Sequence, residues 1–194
     1  MVKLIGKIKL KTAIFISGRG SNLKSLYKFS KKKNSPININ LVLSDNKNAK
    51  GLIFAKKKKI KISTINYSNK NIAERRIRIL IKKNNIKLIC LAGFMKILSK
   101  KFIRSFKGKI LNIHPSLLPK YKGLNTHKRV IDNKEKYSGC TVHFVTSKLD
   151  SGKIILQRRL KIKKDDNERK LSSKILRIEH ELYPKALVKL FSNY

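Results

Sequence analysis

The sequence predicts an α/β protein with an open, mostly parallel twisted sheet flanked by helices and an antiparallel hairpin at one edge. Short apolar runs rich in β-branched residues alternate along the chain with segments whose apolar residues recur at helical spacing. This alternation is typical of parallel strands joined by right-handed crossover helices. Towards the C-terminal end, two β runs are separated by a turn with no room for a helix, so we expect them to pair antiparallel.

The first half of the chain holds four predicted strands, and each of the first three is followed by a helix. The fourth run is apolar except at Lys87, which is typical of a strand buried on both faces. The first helix follows a glycine-rich turn and repeats Leu23, Leu26 and Phe29 on one face. The predicted strands are residues 12–17, 39–43, 60–65 and 86–92, and the other two helices are residues 51–58 and 72–83.

The second half completes the sheet and closes with a helical region. Residues 109–113 form the next predicted strand, and residues 141–145 and 153–157 form the edge hairpin. Residues 166–190 are predicted to be helical, and Pro184 predicts a kink or a break within them. The apolar face of this region is supplied by Leu171, Ile175, Ile178 and Leu182.

The length and composition predict one domain, placed at residues 11–194, after a basic N-terminal extension at residues 1–10. A chain of 194 residues with 41% hydrophobic content can bury one core and is short for two. Cys90 and Cys140 have a spacing that fits no zinc or redox motif, so we expect buried reduced thiols. No apolar run is long enough for a membrane span or a signal peptide. These features together predict a cytoplasmic protein with no membrane partner.

The formal net charge of +39 is the feature that most favours a different class of function. Such a charge attracts polyanions through counterion release, so a nucleic-acid-binding protein is the main non-enzyme alternative. The lysines, however, are spread over nearly every predicted helix, and no aromatic-rich basic strand or recognition helix accompanies them. We therefore interpret the charge mainly as a solvated surface and expect no specific nucleic-acid partner.

Asn112 and His114 form the most informative pair in the sequence. Successive side chains of a strand point to opposite faces, so these two emerge on the same side, and Pro115 ends the strand pairing behind them. An amide and an imidazole then stand together at the carboxyl end of a strand, where open α/β sheets bind ligands. This pair is suited to stabilising an oxyanion and moving a proton. The alternative interpretation is that both residues only cap the strand end.

Two turns add further candidate site residues. The turn at residues 18–22 provides glycines and free N–H groups at a helix start, which suits a single phosphate group, although a plain strand-to-helix turn is the alternative. It lacks the third glycine of a dinucleotide fingerprint and the Lys-Ser/Thr of a P-loop. Asp150 can be ordinary turn chemistry, or a carboxylate that the hairpin brings near His114. The remaining histidines, which show no metal-ligand spacing and are predicted to be core or surface residues, are His127, His143 and His180.

Four separated motifs resemble the folate-dependent formyltransferase family, and most closely the phosphoribosylglycinamide formyltransferases of purine biosynthesis. The Asn-x-His-Pro-Ser-Leu-Leu-Pro element and the distant Asp150 are shared by several members of that family. The turn at residues 17–22 and the stretches at residues 125–127 and 179–184 narrow the resemblance to the glycinamide ribonucleotide enzymes. It spans residues 12–184, and its motifs lie at residues 16–23, 91–99, 112–121 and 139–152.

The resemblance implies a Rossmann-like formyltransferase fold and a set of site residues. Asn112, His114 and Asp150 are expected to be catalytic, with protonated His114 and Asn112 stabilising the oxyanion while Asp150 raises the pKa of the histidine. Gly20, Ser21 and Asn22 are expected to hold the substrate phosphate, and Glu179 the ribose hydroxyls. Folate is expected to contact Asn112 and Asp150 together with Lys70, Met95, Lys96, Ile97, Leu98, Thr146, Ser147, Lys148 and Leu149.

The implied reaction is formyl transfer from 10-formyltetrahydrofolate, as cosubstrate and without a metal, to the amine of 5-phosphoribosylglycinamide. Hydrolysis of formyltetrahydrofolate, or transfer to another amine, is the enzyme alternative. Small molecules are the expected partners, and the expected oligomeric state is a monomer or weak dimer. Lys96 departs from the arginine frequent in the family, which removes a planar fork for anions. Lys70 is placed only by spacing across a poorly matched segment.

Overall fold

The computed structural model describes residues 9–191, which form seven strands and six helices. The strands are β1 (Leu10–Ile16), β2 (Ile37–Ser44), β3 (Ile62–Thr64), β4 (Leu88–Leu91), β5 (Lys109–His114), β6 (Tyr137–Phe144) and β7 (Ile154–Lys161). The helices are α1 (Ser21–Ser30), α2 (Lys50–Lys57), α3 (Lys70–Lys83), α4 (Lys100–Ser105), α5 (Thr126–Asp132) and α6 (Glu168–Phe191).

The strands form a single sheet in the order β3-β2-β1-β4-β5-β6-β7. Strands β1 to β5 are parallel, whereas β6 runs antiparallel to β5 and to β7. The predicted fold class, including the antiparallel edge, is therefore confirmed. Strand order reverses between β1 and β4, and in open α/β sheets this reversal opens a crevice at the carboxyl ends of the strands.

Helices cover both faces of the sheet because the central strands are apolar on both sides. In β1, Ile14 and Ile16 pack into one core with α1 and α6, while Ala13 and Phe15 pack into a second core with α3 and α4. All four residues are fully buried. The sheet is thus held between two apolar layers, and its strand ends are the rigid base on which the site is built.

Several boundaries differ from the sequence prediction. β1 begins at Leu10, inside the predicted N-terminal extension, whereas residues 1–8 lie outside the described residues. Helices α4 and α5 were not predicted, because they span only six and seven residues and show little apolar periodicity. A local indication for α4 exists in Ser99, whose side chain accepts a hydrogen bond from Phe102 N as an N-cap.

The predicted break at Pro184 is wrong, because α6 is continuous from Glu168 to Phe191. Proline has no N–H to donate to the carbonyl four residues earlier, which here belongs to His180. Ser25 Oγ of α1 donates to the oxygen of that carbonyl at 2.6 Å. A side chain from the neighbouring helix thus replaces the missing backbone donor, and the helix continues.

Tyr183 joins α6 to the sheet from inside the core. Its side chain is fully buried, and its hydroxyl lies 3.2 Å from the Leu91 carbonyl oxygen and 3.1 Å from that of Leu111. These carbonyls belong to β4 and β5, close to their carboxyl ends. Cys90 and Cys140 are both buried and free, as predicted. Within residues 9–191, no helix combines the length and apolarity needed to cross a bilayer.

Candidate active site

A cavity of about 520 Å³ opens at the carboxyl ends of β1, β4 and β5. It collects every predicted site residue except Lys70, which is exposed at the first turn of α3 and does not line the cavity. The contact of Lys70 with folate stays a prediction that rests on spacing alone. The predicted residues that do line the cavity are Gly20, Ser21, Asn22, Met95, Lys96, Ile97, Leu98, Asn112, His114, Thr146, Ser147, Lys148, Leu149, Asp150 and Glu179.

The glycine turn after β1 approaches the start of α2 at van der Waals distance. Gly20 has φ 71°, in the left-handed region, and caps α1 without a side-chain hydrogen bond. A Cβ added at Gly20 would lie 2.7 Å from Gly51 Cα, so only glycine fits here. The first N–H groups of a helix have no intrahelical partner, and at the start of α1 Gly20, Ser21 and Asn22 line the cavity. This end of the cavity therefore suits an anion.

Glu179 meets the glycine turn from α6. Its carboxylate accepts a hydrogen bond from Asn22 Nδ2 at 2.8 Å, and the glutamate is only 7% exposed. Burial raises the pKa of Glu179 to about 7, although the Asn22 hydrogen bond acts in the opposite direction. Asn22 Oδ1 has no hydrogen-bond partner within the described part of the chain. An acceptor and a carboxyl group thus lie beside the anion site, where they can bind hydroxyl groups.

Replacing Glu179 with glutamine is expected to stabilise the fold above neutral pH. Between pH 4.5 and about 7 the unfolded chain releases this proton while the native chain keeps it, so native stability falls as pH rises. A pKa raised by this amount costs on the order of 3 kcal/mol above pH 7, which a neutral amide avoids. Thermal unfolding at about pH 5 and about pH 8 should show a gain only at the higher pH.

Glu181→Gln is the matched control for that substitution. Glu181 lies two residues further along α6 and forms an exposed ion pair with Arg158. Because it is solvated, its replacement is expected to leave the pH dependence of unfolding unchanged. An equal effect of Glu179→Gln at both pH values would contradict the assignment of a buried titrating carboxyl group.

At the other end of the cavity, Asn112, His114 and Asp150 converge. His114 Nδ1 lies 3.4 Å from Asp150 Oδ2, and Asn112 Nδ2 lies 3.5 Å from Asp150 Oδ1. Asp150 is held in the β6–β7 turn, where the backbone N–H of Gly123 donates to Oδ2 at 2.9 Å. The carbonyl oxygen of Tyr121 accepts the His114 Nε2 proton at 2.8 Å, which leaves Nδ1 facing the carboxylate.

His143 is a member of this cluster that the sequence interpretation assigned to the core or surface. It lies directly opposite Asn112 across the β5–β6 pair, and its ring is buried. Its Nδ1–H donates to the Phe144 carbonyl at 2.8 Å, so Nε2 accepts from Asn112 Nδ2 at 3.2 Å. This contact sets the orientation of the Asn112 amide, whose Nδ2 faces His143 and Asp150. Only the register of the β5–β6 pair reveals this placement.

The charges in this cluster are set by burial and by the facing groups. Burial lowers the pKa of His114 below its ordinary value, and the Tyr121 carbonyl and Asp150 oppose that effect without reversing it. Burial alone would raise the pKa of Asp150, but the nearby His143 ring and the hydrogen bond from the Gly123 N–H outweigh it and lower that pKa. These shifts favour a carboxylate beside a neutral imidazole at rest, and the protonated role of His114 that the resemblance implies stays a prediction.

The apolar wall of the cavity is anchored through Ser17. Its hydroxyl donates to Asp45 Oδ1 at 2.5 Å and accepts from Met95 N at 2.8 Å. Lys96 Nζ lies 3.8 Å from the other Asp45 oxygen. Asp45 is therefore linked to the segment at residues 95–98 through Ser17 and Lys96. Exposed apolar side chains then border the cavity mouth, contributed by Met95, Ile97, Leu124 and Leu149.

The fold and the cavity define an α/β enzyme in which an acid–base cluster and an anion-binding turn share one cavity. A family model described as "Formyl transferase" matches residues 10–187. The chain therefore belongs to the formyl transferase family. Within residues 9–191, no group of three histidine, cysteine or acidic side chains is arranged to hold a metal ion.

Individual relatives agree with this assignment. A phosphoribosylglycinamide formyltransferase of Haemophilus influenzae is 40% identical over 177 residues, which cover 90% of this chain and 84% of the relative. The human trifunctional purine biosynthetic protein adenosine-3 is 40% identical over 184 residues. That match covers 93% of this chain, which spans only 18% of the length of the human protein.

Solved structures show the same architecture. A phosphoribosylglycinamide formyltransferase from Bacillus halodurans superposes with a TM-score of 0.90 at 33% identity, covering 94% of this chain and 96% of that one. The corresponding structure from Anaplasma phagocytophilum gives a TM-score of 0.88 at 39% identity, covering 95% of this chain and 87% of that one. Both comparisons agree with the sheet and the antiparallel edge described above.

Proposed function

We propose that this chain transfers the formyl group of 10-formyltetrahydrofolate to the amine of 5-phosphoribosylglycinamide, a step of purine biosynthesis. One observation carries the proposal: an amide and an imidazole each lie within 3.5 Å of the same carboxylate, in the same cavity as the glycine turn. Acyl transfer to a sugar-phosphate amine needs both of these features together. The family assignment and the relatives named above support the same reaction.

The two substrates are assigned to opposite ends of the cavity. The phosphate lies against Gly20, Ser21 and Asn22, where helix N–H groups and glycines favour an anion. Glu179 then binds the ribose hydroxyls, since its carboxyl group lies 2.8 Å from the Asn22 side chain. Folate occupies the apolar end, between residues 95–98 and residues 146–150.

The first chemical step forms a tetrahedral intermediate. The substrate amine attacks the formyl carbon, and the formyl oxygen becomes an oxyanion. Asn112 Nδ2 contacts His143 at 3.2 Å and Asp150 at 3.5 Å, so the contact with Asp150 is the weaker of the two. The N–H that faces Asp150 is therefore the one that donates to the oxyanion. His114 Nδ1, neutral at rest, accepts the proton that the attacking nitrogen releases.

The second step breaks the bond between the formyl carbon and N10 of the folate. The imidazolium formed in the first step is stabilised by Asp150 at 3.4 Å and by the Tyr121 carbonyl at 2.8 Å. It then returns its proton to N10, which leaves as the amine of tetrahydrofolate while the oxyanion collapses to the new formamide. Histidine thus carries one proton between two nitrogens, with no covalent intermediate on the protein.

The purified protein is expected to form formylated ribonucleotide and tetrahydrofolate in equal amounts when both substrates are supplied. Release of tetrahydrofolate should be followed by absorbance, with formylated product measured separately by mass. Without the ribonucleotide, release should fall to background, because no amine is present to attack. Equal release with and without it would indicate a hydrolase. Absence of either product, together with tight nucleic-acid binding, would indicate a polyanion-binding protein on this fold.

A further inference from the structure

The carbonyl that orients His114 belongs to a residue with unusual backbone geometry. Tyr121 has φ 55°, in the left-handed region, and its carbonyl oxygen accepts the His114 Nε2 proton at 2.8 Å. Residues with a Cβ are unfavourable in this region, so other contacts must hold the chain there. The position of the imidazole therefore depends on what stabilises Tyr121.

Two side chains outside the cavity hold Tyr121. Its hydroxyl donates to Glu135 Oε1 at 2.9 Å, and the Arg129 guanidinium lies 5.3 Å from its ring centroid. Lys120 Nζ donates to the same Glu135 oxygen at 2.9 Å. One carboxylate oxygen thus accepts from two consecutive residues of the loop that follows His114. Arg129 also donates to the Lys122 carbonyl at 2.7 Å, which extends the support by one residue.

Glu135 is itself well anchored. Its backbone N–H donates to the Val130 carbonyl at 3.2 Å, in the turn between α5 and β6, and its side chain is 26% exposed. The hydrogen bonds from Lys120 and Tyr121 lower the pKa of Glu135, so it is ionised at neutral pH. Glu135 does not line the main cavity and touches none of the reacting groups. Any effect on the chemistry must act through Tyr121.

We propose that Glu135 is a positioning residue for His114: by holding the Tyr121 side chain, it places the backbone carbonyl that orients the imidazole and stabilises its protonated form. The coupling stands on two consecutive hydrogen bonds, from Glu135 to Tyr121 and from Tyr121 to His114. Its consequence for turnover rests on the proposed function, in which His114 carries the proton.

Four other charged or titratable groups lie near His114. Asp150 raises the pKa of the imidazole, whereas the charges of His143 and Arg129 lower it. His127, on α5, is close enough for its own titration to be affected by His114. None of these four groups hydrogen bonds to Glu135, so a change in His114 titration on altering Glu135 reports on the Tyr121 carbonyl.

The test is a titration of the His114 imidazole by NMR in Glu135→Ala and Tyr121→Phe. Both variants are expected to lower the pKa of His114 relative to the unmodified protein, since a displaced carbonyl no longer supports the imidazolium. In the formyl-transfer assay, kcat is expected to fall about tenfold, with the KM of each substrate within about twofold, because only proton transfer is misaligned. Tyr121→Phe removes a single hydroxyl and guards against misfolding of Glu135→Ala.

Two further variants sharpen the result. Glu135→Gln keeps an oxygen that can accept from Tyr121, so it should retain the titration of His114. Asp132→Asn removes a carboxylate three residues away, at the end of α5, which accepts a hydrogen bond from Lys128. This variant should change neither the titration of His114 nor kcat. An unchanged His114 titration in both Glu135→Ala and Tyr121→Phe would overturn the proposal, even if kcat fell. Shifted titrations in a protein without formyl transfer would support the coupling while refuting the proposed function.

Discussion

Replacing His114 with alanine is expected to lower kcat about a thousandfold while leaving the KM of the ribonucleotide within about threefold. General acid–base catalysis contributes about 10²- to 10⁴-fold, and here one imidazole both accepts and returns the proton. The phosphate end of the cavity, at Gly20 and Asn22, does not contact His114, so substrate binding is retained. Steady-state and single-turnover kinetics of formyl transfer give both quantities.

A companion substitution separates proton transfer from packing. His114→Asn keeps a buried polar side chain but has no titrating nitrogen, so it should lose as much activity as the alanine variant. Asp150→Asn should lower kcat about 100-fold, since the imidazolium loses the carboxylate at 3.4 Å. Because the two groups act as a unit, combining Asp150→Asn with His114→Ala should add little further loss. Activity within tenfold of normal in His114→Ala would exclude His114 as the proton carrier.

Replacing Gly20 with alanine is expected to destabilise the fold by about 2–4 kcal/mol and to raise the KM of the ribonucleotide more than about tenfold. The backbone at Gly20 has φ 71°, which disfavours any Cβ, and the new atom would meet Gly51 Cα at 2.7 Å. Because the added Cβ would meet backbone, the clash can be relieved only by moving α1 away from α2. The N–H groups assigned to the phosphate would move with α1. Denaturant unfolding and substrate-specific KM values test the two effects.

Two other glycines lining the cavity serve as controls. A Cβ at Gly18 meets nothing within 4 Å and the residue has no positive φ, so Gly18→Ala should change stability by less than about 0.5 kcal/mol. Gly93 has φ 76° with open space around it, so Gly93→Ala should be destabilised only by the left-handed backbone conformation, by about 1–2 kcal/mol. If Gly20→Ala were no less stable than Gly93→Ala, the contact with Gly51 would be excluded as a constraint.

The parts of the structure that follow from local periodicity could be predicted from the sequence. Alternation along β5 places Asn112 and His114 on one face, and the short connection between β6 and β7 produces the antiparallel edge that carries Asp150. These features depend on short stretches of chain. The catalytic roles of the three residues remain a prediction that the substitutions above test.

Features that depend on register or on backbone atoms could not be predicted in the same way. His143 joins the cluster only because β5 and β6 pair with Asn112 opposite it, a register that no local pattern specifies. The Tyr121 carbonyl holds His114 through a backbone group, which no side-chain motif marks. Lys70 lies outside the cavity lining, so the cavity adds no support to the contact with folate that spacing predicts.

Tyr183 fixes the position of α6 relative to the sheet. Its buried hydroxyl ties α6 to the carbonyls of Leu91 and Leu111, one turn of helix from Glu179 and one residue from Asn112. The separation between Glu179, the proposed ribose-binding residue, and Asn112, the proposed oxyanion donor, is therefore set by elements packed in the core. Under these proposed roles, we expect an acceptor with one more methylene between its ribose and its amine to satisfy one end of the cavity only, so that the packing around Tyr183 selects amines by length.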